Sequence, residues 1–178
     1  MNKIRYVAFI RGINISGKNK IPMSDLKIEF EKLGYSNVST YLNSGNIVFS
    51  SEKTYKIIRR NIEKMLQNSF AVESAIYVIE LEKLKHILES APSWWGTADK
   101  NKYDNIIFIL SDDSPQMIAD LVGPVSEERE RIQIFEEIIF WTFDKNSYSK
   151  CNWWKKTAKA GIAEKLTIRT ANTVKKLC

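Results

Sequence analysis

Histidine is almost missing: His86 is the only one among 178 residues. That excludes sites built on two histidines and His-rich zinc centres, and it leaves a single candidate base for a Ser or Cys triad. His86 stands between the apolar positions Leu84 and Leu88 in LEKLKHILE, so it reads as a surface residue of a helix. Cysteine is nearly as scarce. Cys151 and Cys178 are the only two, and neither sits in a C-x-x-C. With no export signal, two free thiols in a reducing cytosol are expected rather than a bridge. Long apolar runs are absent too. Nothing approaches the roughly 18 residues of a membrane span. Lys3 and Arg5 are followed only by the block Tyr6 to Ile10, which is too short for a signal peptide. The expectation is a cytoplasmic protein with no membrane partner.

Acidic residues are missing from the start of the chain. Residues 1–20 hold five cations (Lys3, Arg5, Arg11, Lys18, Lys20) and no acid. Residues 145–178 hold nine cations against Glu164 alone. The net charge is +6, so the middle is acidic, with 13 cations and 20 acids giving −7. Two basic ends flank an acidic stretch. Brought together by the fold, they would form one surface attractive to anions or to a nucleic-acid backbone. The plainer reading is a set of solvated lysines.

What is present is a mixed pattern of periods two and 3.6. Ile4 to Ile10 reads as a buried strand. Met23, Leu26, Phe30 and Leu33 recur at helical spacing after Pro22, with Gly34 as the stop. Val38–Leu42 and Asn46–Ser50 read as strands joined by a hairpin at Asn43-Ser-Gly45. Ser51 is expected to cap a helix whose inward face carries Tyr55, Ile58, Ile62, Met65 and Leu66. Ala75 to Ile79 closes the set as a strand. The order β-α-β-β-α-β predicts a ferredoxin-like arrangement over residues 1–80. Residues 81–178 repeat it in looser form. A helix over Leu81–Leu88 leads to the pair Trp94-Trp95, and Asn105–Leu110 is a strand. Ser114-Pro115 opens a short helix. Arg131–Phe135 and Ile138–Phe143 form a hairpin with Glu136-Glu137 as its turn. A basic helix is expected from Trp153 to Glu164, then a short strand at Thr167–Arg169 and a terminal helix capped by Thr170. The fold class expected is α+β: two ferredoxin-like halves, each an antiparallel sheet with helices on one face.

Gly12 to Lys18 spells G-x-x-x-x-G-K, the first positions of a phosphate-cradling P-loop. Asn19 replaces the Ser or Thr that would ligate Mg²⁺, and Pro22 delays the helix whose N-terminus should hold the phosphates. A nucleotide triphosphatase is therefore disfavoured. What survives is a glycine-rich cationic loop suited to a single anion.

The opening Tyr6-Val-Ala-Phe-Ile-Arg-Gly-Ile-Asn-Ile-Ser-Gly-Lys-Asn19 and the run Thr40-Tyr-Leu-Asn-Ser-Gly-Asn-Ile-Val-Phe49 resemble a bacterial family, the domain of unknown function 1697. Its members open with a strand and R-G-I-N-[VI]-x-G-K, and continue with T-Y-[IL]-x-S-G-N-[VI]-[VI]-F. Near the end, Ser149-Lys150 resembles the family's S-K pair, and Arg169-Thr-Ala-Asn-Thr-Val174 resembles its R-N-W-N-T-V. Thr170 and Ala171 depart from that pattern, which removes an aromatic able to stack on a ligand. The resemblance implies two ferredoxin-like halves and supplies no substrate. The ligand-binding candidates it implies are Arg11, Gly12, Asn14, Gly17, Lys18, Ser44, Gly45, Asn46, Ser149, Lys150, Arg169, Asn172 and Thr173. Both glycine-bearing loops also have a bland reading, as a connection and a hairpin turn.

The function expected is non-catalytic binding of an anionic small molecule or nucleic acid on a basic surface made by the chain ends. The alternatives are an enzyme acting on a phosphorylated or carboxylated small molecule in a cleft between the halves and, third, a protein-interaction module. No cofactor and no metal are expected, and nothing in the sequence sets an oligomeric state. For nucleic acid, the candidate stacking rings are Tyr41, Phe49 and the tryptophans of Lys150-Cys-Asn-Trp-Trp-Lys-Lys156.

Overall fold

Strand β1 (Ile4–Ile10) lies inside the first sheet because both of its faces are apolar, as buried strands require. The computed structural model describes residues 3–178. From β1 the chain runs through α1 (Met23–Lys32), β2 (Ser36–Tyr41), β3 (Asn46–Ser51), α2 (Tyr55–Phe70) and β4 (Ile76–Glu80). The sheet order is β2-β3-β1-β4, with every pairing antiparallel. This is the ferredoxin-like order expected for the first half.

Helices α1 and α2 cover one face of that sheet. Tyr6, Ala8, Ile10, Ile47 and Phe49 pack there against Leu26, Phe30, Ile58, Ile62 and Leu66. Phe49 is the hub. Its ring centroid lies 4.8 Å from Tyr35, 5.3 Å from Phe30 and 6.0 Å from Tyr6. Burying each such side chain contributes about 1.5–3 kcal/mol. Phe49 is thus a core residue, unavailable for stacking on a ligand, and Tyr41 is half-buried.

Helix α3 (Leu81–Glu89) buries Leu81, Leu84 and Ile87 and leaves His86 exposed. The chain divides into two compact units within this helix. One runs as far as His86 and takes in Leu177–Cys178; the other is Ile87–Lys176.

The second unit repeats the plan with β5 (Lys102–Ile109), α4 (Pro115–Val122), β6 (Glu130–Phe135), β7 (Ile138–Asp144), α5 (Asn152–Thr157), β8 (Leu166–Thr170) and α6 (Ala171–Leu177). A 3-10 turn at Lys145–Lys150 precedes α5, and another at Ala163–Lys165 precedes β8. The order β6-β7-β5-β8 is again ferredoxin-like and wholly antiparallel. Ile107, Ile139, Trp141 and Leu166 pack against Ile118, Val122 and Trp153 on the helical face. Ser114 caps α4 by accepting the Met117 amide at 3.2 Å, with Pro115 next to it. Glu136 takes φ +47 in the tight turn between β6 and β7.

Three local expectations are corrected. Ser51 ends β3, and its hydroxyl accepts the Lys53 amide, so Thr54 occupies the cap position of α2. Tyr55 is exposed, because it sits in the first turn ahead of the inward positions. Helix α5 stops at Thr157 rather than Glu164. The chain must regain the sheet edge by Leu166, which pairs with Ile109, and Lys165 must offer its carbonyl to the Leu110 amide at 2.7 Å. Gly161 makes the turn at φ +84 while the Glu164 carboxylate accepts its amide. Both cysteines are free, Cys151 buried and Cys178 exposed. Burial pushes the Cys151 thiol up to about 11, helped by the nearby Glu130 charge. Among the described residues no helix is long and apolar enough to cross a membrane.

Candidate functional site

Register decides where the candidate loops of the first unit lie. Phe9 pairs with Asn46, so the exit of β1 and the hairpin between β2 and β3 share one end of the sheet. The entry to β4 joins them. The Arg11 amide donates to the Ala75 carbonyl at 3.1 Å, and the Ser74 hydroxyl donates to the Arg11 carbonyl. Arg11, Gly12, Asn14, Gly17, Lys18, Ser44, Gly45 and Asn46 are all gathered at this end. The P-loop geometry is not formed, since the sheet is antiparallel and α1 begins only at Met23.

Asn14 holds the loop between β1 and α1 in shape. Its Oδ1 accepts the Ile21 amide at 2.7 Å, and its Nδ2 donates to the carbonyls of Ile21 at 2.9 Å and Asn43 at 2.8 Å. One side chain thus closes the loop on itself and ties it to the hairpin. Asn19 adds a bond from Nδ2 to the Gly12 carbonyl at 3.1 Å. Asn14, Ser16 and Asn19 all adopt left-handed backbone, at φ +56, +49 and +48. Such conformations cost non-glycine residues free energy and concentrate at sites where geometry matters. Asn46 is buried and donates to the Tyr41 carbonyl and the Ser44 hydroxyl, each at 3.0 Å. These side-chain bonds of both asparagines shape loops.

The cations differ. Lys18 and Lys20 are exposed and Arg11 is half-buried. None of the three side chains has an ion pair or hydrogen bond among the described residues. Glu73 is the one acid in the three segments gathered here, and it takes the Gln67 amide at 3.4 Å.

In the second unit, Ser149 and Lys150 lie exposed in the 3-10 turn after β7. Arg169 sits on β8 and donates to the Thr167 hydroxyl and the Ile168 carbonyl, each at 3.0 Å. Burial of its guanidinium pulls its pKa down to about 10, so it stays charged at neutral pH. Thr173 is buried and bonded to Thr170, where the two close the first turn of α6. Asn172 alone of these lines a cleft of about 330 Å³, with Lys100, Lys102, Asp104 and Lys145. Of the tryptophans near the basic tail, Trp153 is fully buried, while Trp154 is exposed beside Tyr148 and Phe143.

Glu130 escaped the sequence reading. It is 3% exposed, and its carboxylate accepts the amides of Ser126, Asn152 and Trp153 at 2.9–3.0 Å and that of Trp154 at 3.4 Å. A buried acid therefore caps α5 from another strand. The available signal was its phase, since Glu130 falls on the same face of β6 as Ile132, which is partly buried against the core.

Residues 3–140 match the model of a family described as protein of unknown function, DUF1697. The chain belongs to the DUF1697 family. The solved structure of the conserved bacterial protein SP0830 from Streptococcus pneumoniae is similar over 99% of this chain and 97% of that one, at 29% identity and a TM-score of 0.85. No curated protein matches. The DUF1697 match takes in the whole loop cluster of the first unit. It stops short of Ser149, Lys150, Arg169, Asn172 and Thr173.

Asn14→Ala should loosen the loop before it harms the core. Three side-chain bonds are lost and alanine is left at φ +56, so a cost of about 2 kcal/mol is expected. Hydrogen exchange should show the amides of Asn14 and Ile21 losing protection while those of β1 keep theirs.

Proposed function

We propose that this DUF1697 protein binds an anionic ligand without catalysing a reaction on it, and that the loop between β1 and α1 holds the anion. One observation carries the reading: among the described residues Arg11, Lys18 and Lys20 stand without counter-ions, on a loop whose shape Asn14 fixes. A cation already paired would have to give up its partner to bind. On a preset loop the backbone loses little conformational freedom on binding, so only the side chains have to be ordered. Lys150 supplies a comparable exposed charge in the second unit. The ligand class is phosphate or carboxylate, with the phosphate backbone of nucleic acid included.

Inorganic pyrophosphate and a single-stranded oligonucleotide are suitable probes, titrated by calorimetry at low salt. Binding should weaken as salt rises. The double substitution Arg11→Gln, Lys18→Gln should reduce affinity about tenfold and flatten the salt dependence, because each lost phosphate contact removes a released counter-ion. Retention of full affinity by the double variant, with circular dichroism unchanged, would rule the loop out.

A further inference from the structure

Trp94 and Trp95 are adjacent, and the sheet uses only one of them. Trp95 is buried, packs edge-on against Phe140 at 4.9 Å and donates its indole N–H to the Asn105 carbonyl at 2.6 Å. Trp94 is half-buried and walls a cleft of about 240 Å³. That cleft borders the 330 Å³ cleft of Asn172, since Thr97, Asp99 and Lys102 line both. Together they reach the size range of small-molecule sites, roughly 300–1,000 Å³.

Thr142 of β7 contributes to the lining. It stands between its register partners Asp104 of β5 and Arg131 of β6. It is 5% exposed, yet its hydroxyl has no hydrogen-bond partner among the described residues. Buried hydroxyls are almost always bonded, so this one calls for an explanation. The Asp104 Oδ1 atom beside it is also buried and unpartnered. Lys102, Arg129 and Arg131 line the cleft with no ion pair among the described residues. Three acids line it too. The Glu130 carboxylate is turned onto the amides of α5, and Asp99 accepts the Asn101 amide, which leaves Glu128 as the acid of the lining without such a bond among the described residues. The site therefore offers an indole wall, an idle buried hydroxyl and three unengaged cations.

We propose that this cleft binds a nucleotide unit: the base lies against Trp94 and is hydrogen-bonded by Thr142, and the phosphate is held by Lys102, Arg129 and Arg131. A nucleobase has a flat face for the indole and an edge of donors and acceptors for the hydroxyl. Its phosphate answers the cations. These residues are separate from the loop of the first unit. A free mononucleotide and one nucleotide of a single strand share this chemistry.

All five tryptophans lie between Trp94 and Trp154, within the second unit, so indole fluorescence reports on this unit. The test is a fluorescence and calorimetric titration of the full chain at low salt. The probes are AMP, GMP, CMP, UMP, adenosine, inorganic phosphate and a single-stranded hexanucleotide. At least one nucleotide probe should saturate, with phosphate alone and adenosine alone each at least about tenfold weaker. Thr142→Val exchanges the hydroxyl for a methyl of similar size. It should raise the unfolding midpoint and also weaken nucleotide binding about tenfold, a pairing of signs that a purely structural threonine would not give. A hexanucleotide that binds more tightly than any mononucleotide, with the same loss in Thr142→Val, assigns the site to a single strand; equal affinities assign it to the free nucleotide. The proposal is overturned if no nucleotide saturates by millimolar concentration, if phosphate or adenosine binds as well as the nucleotide, or if Thr142→Val binds normally. It is also overturned if the loss follows Arg11→Gln, Lys18→Gln instead, an outcome that leaves the loop reading standing.

Discussion

Gly45→Ala should destabilise the first unit by about 3 kcal/mol, more than any other single-methyl change in its loops. Gly45 holds φ +76, where an L side chain is strained by about 1–2 kcal/mol. Space makes matters worse. A Cβ there would sit 2.8 Å from the Ile10 carbonyl oxygen and 3.0 Å from both Ile10 Cβ and Ile13 Cδ1. The nearest atom is backbone, and that backbone cannot retreat. The Ile10 amide donates to the Gly45 carbonyl at 2.8 Å, so the clash falls on residues already bonded together. Overpacking of this kind adds about 1–3 kcal/mol. Gly12→Ala is the control. Gly12 has φ +68 but nothing within 4 Å of the added methyl, so only the backbone term of about 1 kcal/mol applies. Urea unfolding followed by far-ultraviolet circular dichroism should separate the two variants. Equal midpoints would mean that the hairpin can move away from β1. Ile13 follows Arg11 and Gly12 in the chain, so Gly45→Ala should also weaken pyrophosphate binding.

The contrast between these glycines shows what a sequence can and cannot reveal here. The hairpin at Asn43–Gly45 was legible, because turn residues between two β-rich runs have a local cause. Its approach to Ile10 was not. That depends on Phe9 facing Asn46, a register set by two apolar faces meeting across the sheet. Both ferredoxin-like halves were legible from alternating periods, since each helix and strand shows its buried stripe. The end of α5 was misread for the converse reason. Trp153 to Lys159 has no local stop; the breaker is Gly161, at φ +84, and β8 must begin at Leu166. The loop cations were visible as a stretch without acid. The role of Asn14 was not, because an asparagine that closes a loop and one that binds a ligand read alike until its partners, Ile21 and Asn43, are known. The cleft at Trp94 was half visible: the tryptophan pair implies that one ring stays partly exposed, but Thr142 is simply one more residue in a buried strand.

Glu130→Ala should cost the second unit about 3–5 kcal/mol, a large part of the stability of an ordinary domain. The carboxylate is the acceptor for the first amides of α5, and the helix supplies none of its own, because Cys151 at its cap position makes no side-chain bond to them. With alanine at 130, the Ser126, Trp153 and Trp154 amides lose their acceptor while the Asn152 amide keeps the Ser126 hydroxyl at 2.9 Å, and each unmade buried bond costs about 1–3 kcal/mol. The damage would spread by specific links. Asn152 is bonded through its side chain to the Pro124 carbonyl at 2.6 Å, and the Trp153 indole to the Gly123 carbonyl at 2.9 Å, so the segment leading to β6 is anchored to the same turn. Glu130→Gln is the sharper probe. It keeps the shape and one acceptor oxygen, but it turns an NH₂ toward helix amides that also donate. A loss of about 2 kcal/mol is expected, between wild type and alanine. Because every tryptophan is in the second unit, fluorescence-monitored urea unfolding reads this directly. The Trp153 ring, fully buried beneath the cap, should report the loosened turn as a red-shifted emission even before unfolding. If Glu130→Gln unfolds at the wild-type midpoint, the negative charge is dispensable and the cap works through shape alone.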